Sequence, residues 1–170
     1  HNPTAQVGSQ KWLEQAMEYG VKHQFVVAHD NPYVDLSLEG EAPVLLRCDG
    51  WREWGIEFFS LSKAWSMGGF RLAFAIGAKQ LITALRRIKG TIDFNQSLAL
   101  QNGAIEALLY SAEWPKKVLE VYRDRRDRTI SALGDLGWQV PLPKMAMYLW
   151  MPLPYWATKK GWDDELFSAN

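Results

Sequence analysis

Ser60-Leu61-Ser62-Lys63-Ala64-Trp65-Ser66-Met67-Gly68-Gly69-Phe70-Arg71 sets one lysine among small hydroxyl residues, with an arginine eight positions after it. Upstream, Ile56, Phe58 and Phe59 read as a buried strand running into Ser60, and downstream Phe70 to Ile76 reads as another. Lys63 therefore lies in the connection between two core strands. A lysine so close to apolar ground is costly unless its amine has work, and a neutral amine can attack a carbonyl to form a Schiff base. The competing reading is a solvated loop lysine with Arg71 as a strand-end ion-pair partner.

Working outward toward the N-terminus, Phe25 to His29 reads as a short strand, apolar until it delivers His29 and Asp30 at its end. That is the pattern of an interior strand in a parallel sheet, which presents polar residues at its carboxyl edge. Asn31-Pro32 breaks the strand and Tyr33 follows. Taken alone, Asp30 could equally start an Asx turn, Tyr33 could be a half-buried aromatic, and His29 could be structural or a hydrogen-bond partner of its neighbour. Before this strand, Asn2-Pro3-Thr4 is a turn, and Ser9 caps a helix with Trp12, Leu13, Ala16, Met17 and Val21 as its apolar stripe. After it come a polar turn at Glu39 to Pro43, a third short strand at Val44 to Leu46, and a connection at Arg52 to Gly55. Helix and strands in this rhythm predict an α/β sheet.

Toward the C-terminus the period changes to 3.6. A helix from about Lys79 to Ile88 closes at Gly90; a second runs from about Asn95 to Tyr110; a third opens at Trp114-Pro115 and continues to about Leu136. The charged middle of the third helix, Arg123 to Arg128, reads as a solvated face. Gly137 caps it, and Trp138 to Val140 and Met145 to Met151 read as two strands of a new layer. Tyr155, Trp156 and Trp162 read as packing surface, and Asp163 to Phe167 as the start of another helix.

Composition narrows the class. The 170 residues are 48% hydrophobic, ample for a core, and carry 19 basic against 19 acidic side chains. That balance recommends neither nucleic acid nor anionic lipid as a partner. Cys48 is the sole cysteine, which rules out an internal disulfide and a cysteine-cluster metal site and fits a reducing, cytoplasmic compartment. No apolar run reaches membrane-spanning length. His1 opens the chain without a methionine, and Asn170 ends it just after a helix start, so a piece of a longer protein is expected.

Ser60, Ser62, Lys63, Gly69 and Arg71 match, spacing included, the cofactor-lysine signature of the class I and II pyridoxal-phosphate-dependent aminotransferases. Asp30-Asn31-Pro32-Tyr33 after an apolar strand resembles the same family's aspartate and tyrosine, and Asn2-Pro3-Thr4 its asparagine-containing turn. The resemblance covers essentially the whole chain. It implies an α/β fold of the aspartate-aminotransferase type, fold type I. Residues 1–137 would be the later part of the large mixed-sheet domain with its long connecting helix, and 138–170 the beginning of a small α+β domain. It also implies roles. Lys63 would hold pyridoxal 5'-phosphate and carry protons, while Asp30 would pair with the pyridine nitrogen. Tyr33 and Asn2 would bond the phenolic oxygen, and Ser60, Ser62 and Arg71 would take the phosphate. No metal is called for.

The implied activity moves an amino group from an amino acid to a 2-oxo acid by a ping-pong Schiff-base route, in a homodimeric protein. A lyase or synthase of the same fold, or the ligand-sensing domain of a transcription regulator, are the other readings. The family's glycine-containing phosphate loop, ring-stacking aromatic and carboxylate-binding arginine are not among these residues. The 170-residue piece alone is therefore expected to fold poorly and to be inactive.

Overall fold

The computed structural model describes residues 1–169. Three strands form a mixed sheet in the order β1-β2-β3: β1 is Val27–Asp30, β2 is Gly55–Ser60 and β3 is Ala73–Gly77. β1 runs parallel to β2, with Asp30 opposite Phe58, and β3 runs antiparallel, with Ala73 opposite Ser60. The carboxyl ends of β1 and β2 and the start of β3 therefore share one edge. The ladders extend slightly past the strands there: the Asn31 N–H donates to the Phe58 carbonyl and the Leu61 N–H to the Leu72 carbonyl. The opposite edge is closed tightly. A Cβ on Gly77 would come within 2.7 Å of the Gly55 carbonyl oxygen, so glycine lets these two backbones meet.

The described residues also form seven α-helices: α1 Gln10–His23, α2 Trp51–Trp54, α3 Lys79–Ile92, α4 Leu98–Tyr110, α5 Trp114–Asp135, α6 Tyr155–Lys159 and α7 Asp164–Ala169. Ser9 caps α1 as expected, its hydroxyl accepting from the Trp12 N–H at 3.1 Å. Leu13 and Met17 then pack on Leu45 and Cys48 beneath β1. A second cluster, Tyr33, Leu36, Ala64, Met145 and Ala146, lies under the polar sheet edge and is flanked by Val118, Leu119 and Tyr122 of α5. Pro115 sits in the first turn of α5, and Gly137 just after its end has φ +75°.

Several expectations need correction. Val44 to Leu46 is not a strand: Leu45–Arg47 is a turn of 3-10 helix. The backbone groups a strand would pair sideways are taken by side chains, since Gln10 accepts from the Val44 N–H and donates to its carbonyl, and Glu57 accepts from the Leu46 N–H. Arg52 to Gly55 is mostly the helical turn α2 rather than a simple connection. β1 lies at the edge of the described sheet, not inside it. The strand expected from Phe70 starts at Ala73, because Gly68–Phe70 forms a 3-10 turn and Arg71 has φ +54°.

Gly90 does not close α3, which runs on to Ile92, and α4 starts at Leu98 rather than Asn95. Trp138 to Val140 and Met145 to Met151 form no strands; the pairing reduces to one bridge between Ser37 and Met145. Pro141, Pro143 and Pro152 remove ladder donors there, and Ala146 takes φ +68°. Trp12 is exposed instead of facing the core, and Arg126 within the supposedly solvated charged run is buried. No helix among the described residues is long and apolar enough to cross a membrane.

Candidate functional site

A cleft of about 710 Å³ opens at the carboxyl end of β1 and is lined by Asn2, Trp12, His29, Asp30, Asn31, Tyr33 and Met145 among others. Parallel pairing with β2 is what delivers Asp30 there, exposed at the strand's last position. Asn31-Pro32 then turns the chain so that Tyr33 drops into the cluster below, only its hydroxyl end remaining polar. Asn2 enters from the N-terminal turn that precedes α1.

Tyr33 is the centre of the polar contacts. Its hydroxyl lies 2.6 Å from that of Tyr148, and the two rings meet edge to face with centroids 5.8 Å apart. The Lys63 amine approaches the Tyr33 ring to 5.8 Å from its centroid, within cation–π range. Burial, the Tyr148 hydrogen bond and the nearby Asp30 charge push the Tyr33 phenol up to about 12, with a hydrogen bond from Asn2 pulling the other way. Near neutral pH this hydroxyl keeps its proton and can donate it.

Behind Asp30 lies a second network. Glu57, on the central strand, is fully buried. One of its carboxylate oxygens accepts from His29 Nδ1 at 2.7 Å and from Asn31 Nδ2 at 2.9 Å, and the other from the Leu46 N–H at 3.2 Å. Burial pushes this carboxyl up, but the bonds from His29, Asn31 and the Leu45 and Leu46 backbone outweigh it and hold the group below the ordinary carboxylate range.

Asn2, Asp30 and Tyr33 thus line one cleft from two separate stretches of sequence, and Lys63, from a third stretch and not itself a lining residue, meets them at the Tyr33 ring. Ser60, Ser62 and Arg71 reach the same sheet edge but bond within their own loop. The Ser60 hydroxyl accepts from the Ser62 N–H at 3.1 Å, and the exposed Arg71 guanidinium donates to the Gly68 carbonyl at 3.0 Å. Arg71 retains further N–H donors in its fork. Tyr148 and Glu57 were not singled out by the sequence. A glutamate between Ile56 and Phe58 in an otherwise apolar strand was the available signal; Tyr148 had none beyond its aromatic surroundings. Cys48 is buried, and burial pushes its thiol up, which suits packing rather than reactivity.

The set comprises a carboxylate, two phenols, an amide, an amine, two hydroxyls and a guanidinium. Residues 1–166 match the family described as aminotransferase class I and II. The chain belongs to that family.

Among its relatives, an LL-diaminopimelate aminotransferase of Dehalococcoides mccartyi is 40% identical over 171 residues, covering 100% of this chain and 44% of that protein. The glutamate-pyruvate aminotransferase AlaC of Escherichia coli is 36% identical over 154 residues, covering 90% and 37%. A double mutant of Thermus thermophilus aspartate aminotransferase superposes with a TM-score of 0.81 at 29% identity, covering 89% of this chain and 40% of that one. The fold is thus that of the fold type I aminotransferases, as the sequence resemblance implied. The chain spans less than half the length of these relatives.

Proposed function

We propose that this chain carries the cofactor-lysine side of a pyridoxal-phosphate-dependent aminotransferase, which moves an amino group from an amino acid to a 2-oxo acid. The observation that carries the reading is the meeting of Lys63, Tyr33 and Asp30 at one sheet edge, with the lysine amine against the tyrosine ring. When bound, pyridoxal phosphate supplies an electron sink for the substrate's α-carbon. Lys63 would hold the cofactor through its amine, and that amine, when free, would carry a proton at the substrate α-carbon.

Asp30 holds the proton on the pyridine nitrogen by opposing its charge. Tyr33, which keeps its own proton, and the Asn2 amide bond the cofactor's phenolic oxygen. Ser60 and Ser62 offer hydroxyls to the phosphate and Arg71 a bidentate fork. Residues 1–137 form the later part of the large domain, with α5 as connecting helix, and 138–170 begin the small domain. Tyr148 would then bring the second part onto the first at Tyr33.

Diaminopimelate is the first donor to test and glutamate the second, since relatives at 40% and 36% identity carry those substrates in their names. The intact protein is read as a cytoplasmic homodimer; the lone buried thiol fits a reducing compartment and the even charge balance gives nucleic acid no purchase. Borohydride reduction of the intact holoenzyme followed by peptide mapping tests the assignment. Cofactor fixed on the peptide containing Lys63 is expected, and cofactor fixed on any other lysine overturns it. Adding each donor to the yellow holoenzyme and following the loss of its absorbance ranks the substrates.

A further inference from the structure

We propose that Glu57 is a positioning residue of this site, fixing Asp30 from behind through the two residues that flank it; the proposal rests on the role given to Asp30 above. His29 and Asn31, one on each side of Asp30, both donate to the same carboxylate oxygen of Glu57. Asn31 is held twice more, its side-chain amide donating to the Pro43 carbonyl at 3.0 Å and its N–H to the Phe58 carbonyl at 2.9 Å. The second carboxylate oxygen ties in the Leu46 N–H from the segment below. Asp30, by contrast, stands exposed at the end of β1, where the ladder is about to stop.

A strand end of that kind has few constraints of its own, and a displacement of an ångström is enough to spoil a catalytic geometry. Clamping both chain neighbours to one rigid group in the central strand fixes the backbone of Asp30 and hence the arc its carboxylate can reach. Stability alone explains Glu57 poorly. Its strand neighbours Ile56 and Phe58 are apolar, and a well-packed apolar side chain at a buried site commonly serves folding as well as a fully satisfied charge does. What an apolar residue could not supply is an acceptor shared by His29 and Asn31.

The test uses the intact protein and the variants Glu57→Gln, Asp30→Asn and the double variant. Both the dissociation constant of the apoenzyme for pyridoxal phosphate and the steady-state rate constants are measured. Glu57→Gln keeps one oxygen for His29 and Asn31 but removes the negative charge they bond and leaves an amide NH2 that cannot serve the Leu46 N–H as well, so it is expected to loosen the clamp, weaken cofactor binding and lower kcat by about tenfold, with KM for the amino donor little changed. In the Asp30→Asn background the same change should add nothing beyond about twofold, because its effect passes through the aspartate. An equal loss in both backgrounds, or no loss from Glu57→Gln alone, overturns the proposal. Asp30→Asn with unchanged affinity and rate overturns the role of Asp30 itself and the proposal with it. Should Glu57→Gln not fold, His29→Gln, at the half-buried end of the network, carries the same comparison.

Discussion

Glu57 on β2 and Arg126 on α5 are both charged groups taken out of water, and their partners set them apart. Those of Glu57 are themselves withdrawn, Asn31 buried and the His29 side chain 21% exposed. Those of Arg126 stay in solvent: Glu39 at 2.7 Å and Asp127 at 2.7 Å are 45% and 54% exposed, and only the Pro143 carbonyl at 3.0 Å is buried with it. Burial works against the Arg126 charge, but Asp127 and Glu39 outweigh it and hold the guanidinium more firmly protonated. The first network ties two neighbouring strands at the edge of the cleft. The second ties a long helix to the loops at Glu39 and Pro143. A buried charge with buried partners fixes local geometry, whereas one with wet partners fastens segments of chain and can be given up more cheaply.

The sharpest separation between the two regions should come from Lys63→Ala. The amine is the group proposed above to bond the cofactor, and on that reading transamination by the intact protein should fall by roughly 10⁴-fold or more, as when a covalent catalyst is deleted. The unfolding midpoint of the cofactor-free intact protein should barely move, because Lys63 is only half-buried and meets the core only through its amine on the Tyr33 ring. A parallel collapse of stability would blur the distinction between the regions.

Next in size is Leu36→Ala, beneath both regions. Leu36 is wholly buried in the cluster that joins Tyr33 to Met145, and its loss should cost about 2–5 kcal/mol in urea unfolding of the intact protein. Cofactor affinity should suffer less than stability, since no polar contact of the site is removed.

Acid distinguishes the two networks without mutation. Glu57 has its carboxyl pKa lowered by the fold from an ordinary value of 4.5. A group lowered in this way stabilises the protein above that ordinary value, and the contribution is lost as the pH falls from there through the folded value. Stability of the intact protein should therefore drop on acidification in that window, and Glu57→Gln should remove this part of the slope. Arg126 stays charged throughout, so Arg126→Met should leave the Glu57 part of the slope in place. That variant should itself cost only about 1–2 kcal/mol, chiefly the bond to the Pro143 carbonyl, because Glu39 and Asp127 can return to water. Its cofactor dissociation constant should be unchanged.

The same contrast explains what could be read from the sequence. Lys63 with its serines and arginine, Asp30 with Tyr33, the Ser9 cap and the long helix α5 are each local patterns, specified by residues close together in the chain. Glu57 meets His29 across 28 positions and Tyr33 meets Tyr148 across 115, so neither pairing leaves a periodic trace. Val44 to Leu46 misled for a related reason: its residues suit a strand, but Gln10 and Glu57 had already claimed the backbone groups that a strand would share. Arg126 looked solvated because its neighbours on α5 are, and only the fold brings Glu39 and Pro143 against it.

The smallest expected effect concerns Tyr148, where the part after Gly137 touches the cleft. Tyr148→Phe removes one hydroxyl from a hydrogen-bonded pair and leaves the aromatic packing, so it should cost about 1 kcal/mol in stability. It should also move the Tyr33 phenol. The Tyr148 bond is one of the causes that push that phenol up to about 12, so losing it should lower the titration midpoint, while burial, the larger cause, keeps it above the ordinary value of 10.0. Titration of tyrosine ring-carbon shifts by NMR in the intact protein measures this directly. An unmoved or raised midpoint would mean that Tyr148 acts on Tyr33 through packing alone, and that the polar contact between the two parts of the chain leaves the donor at the cleft unaffected.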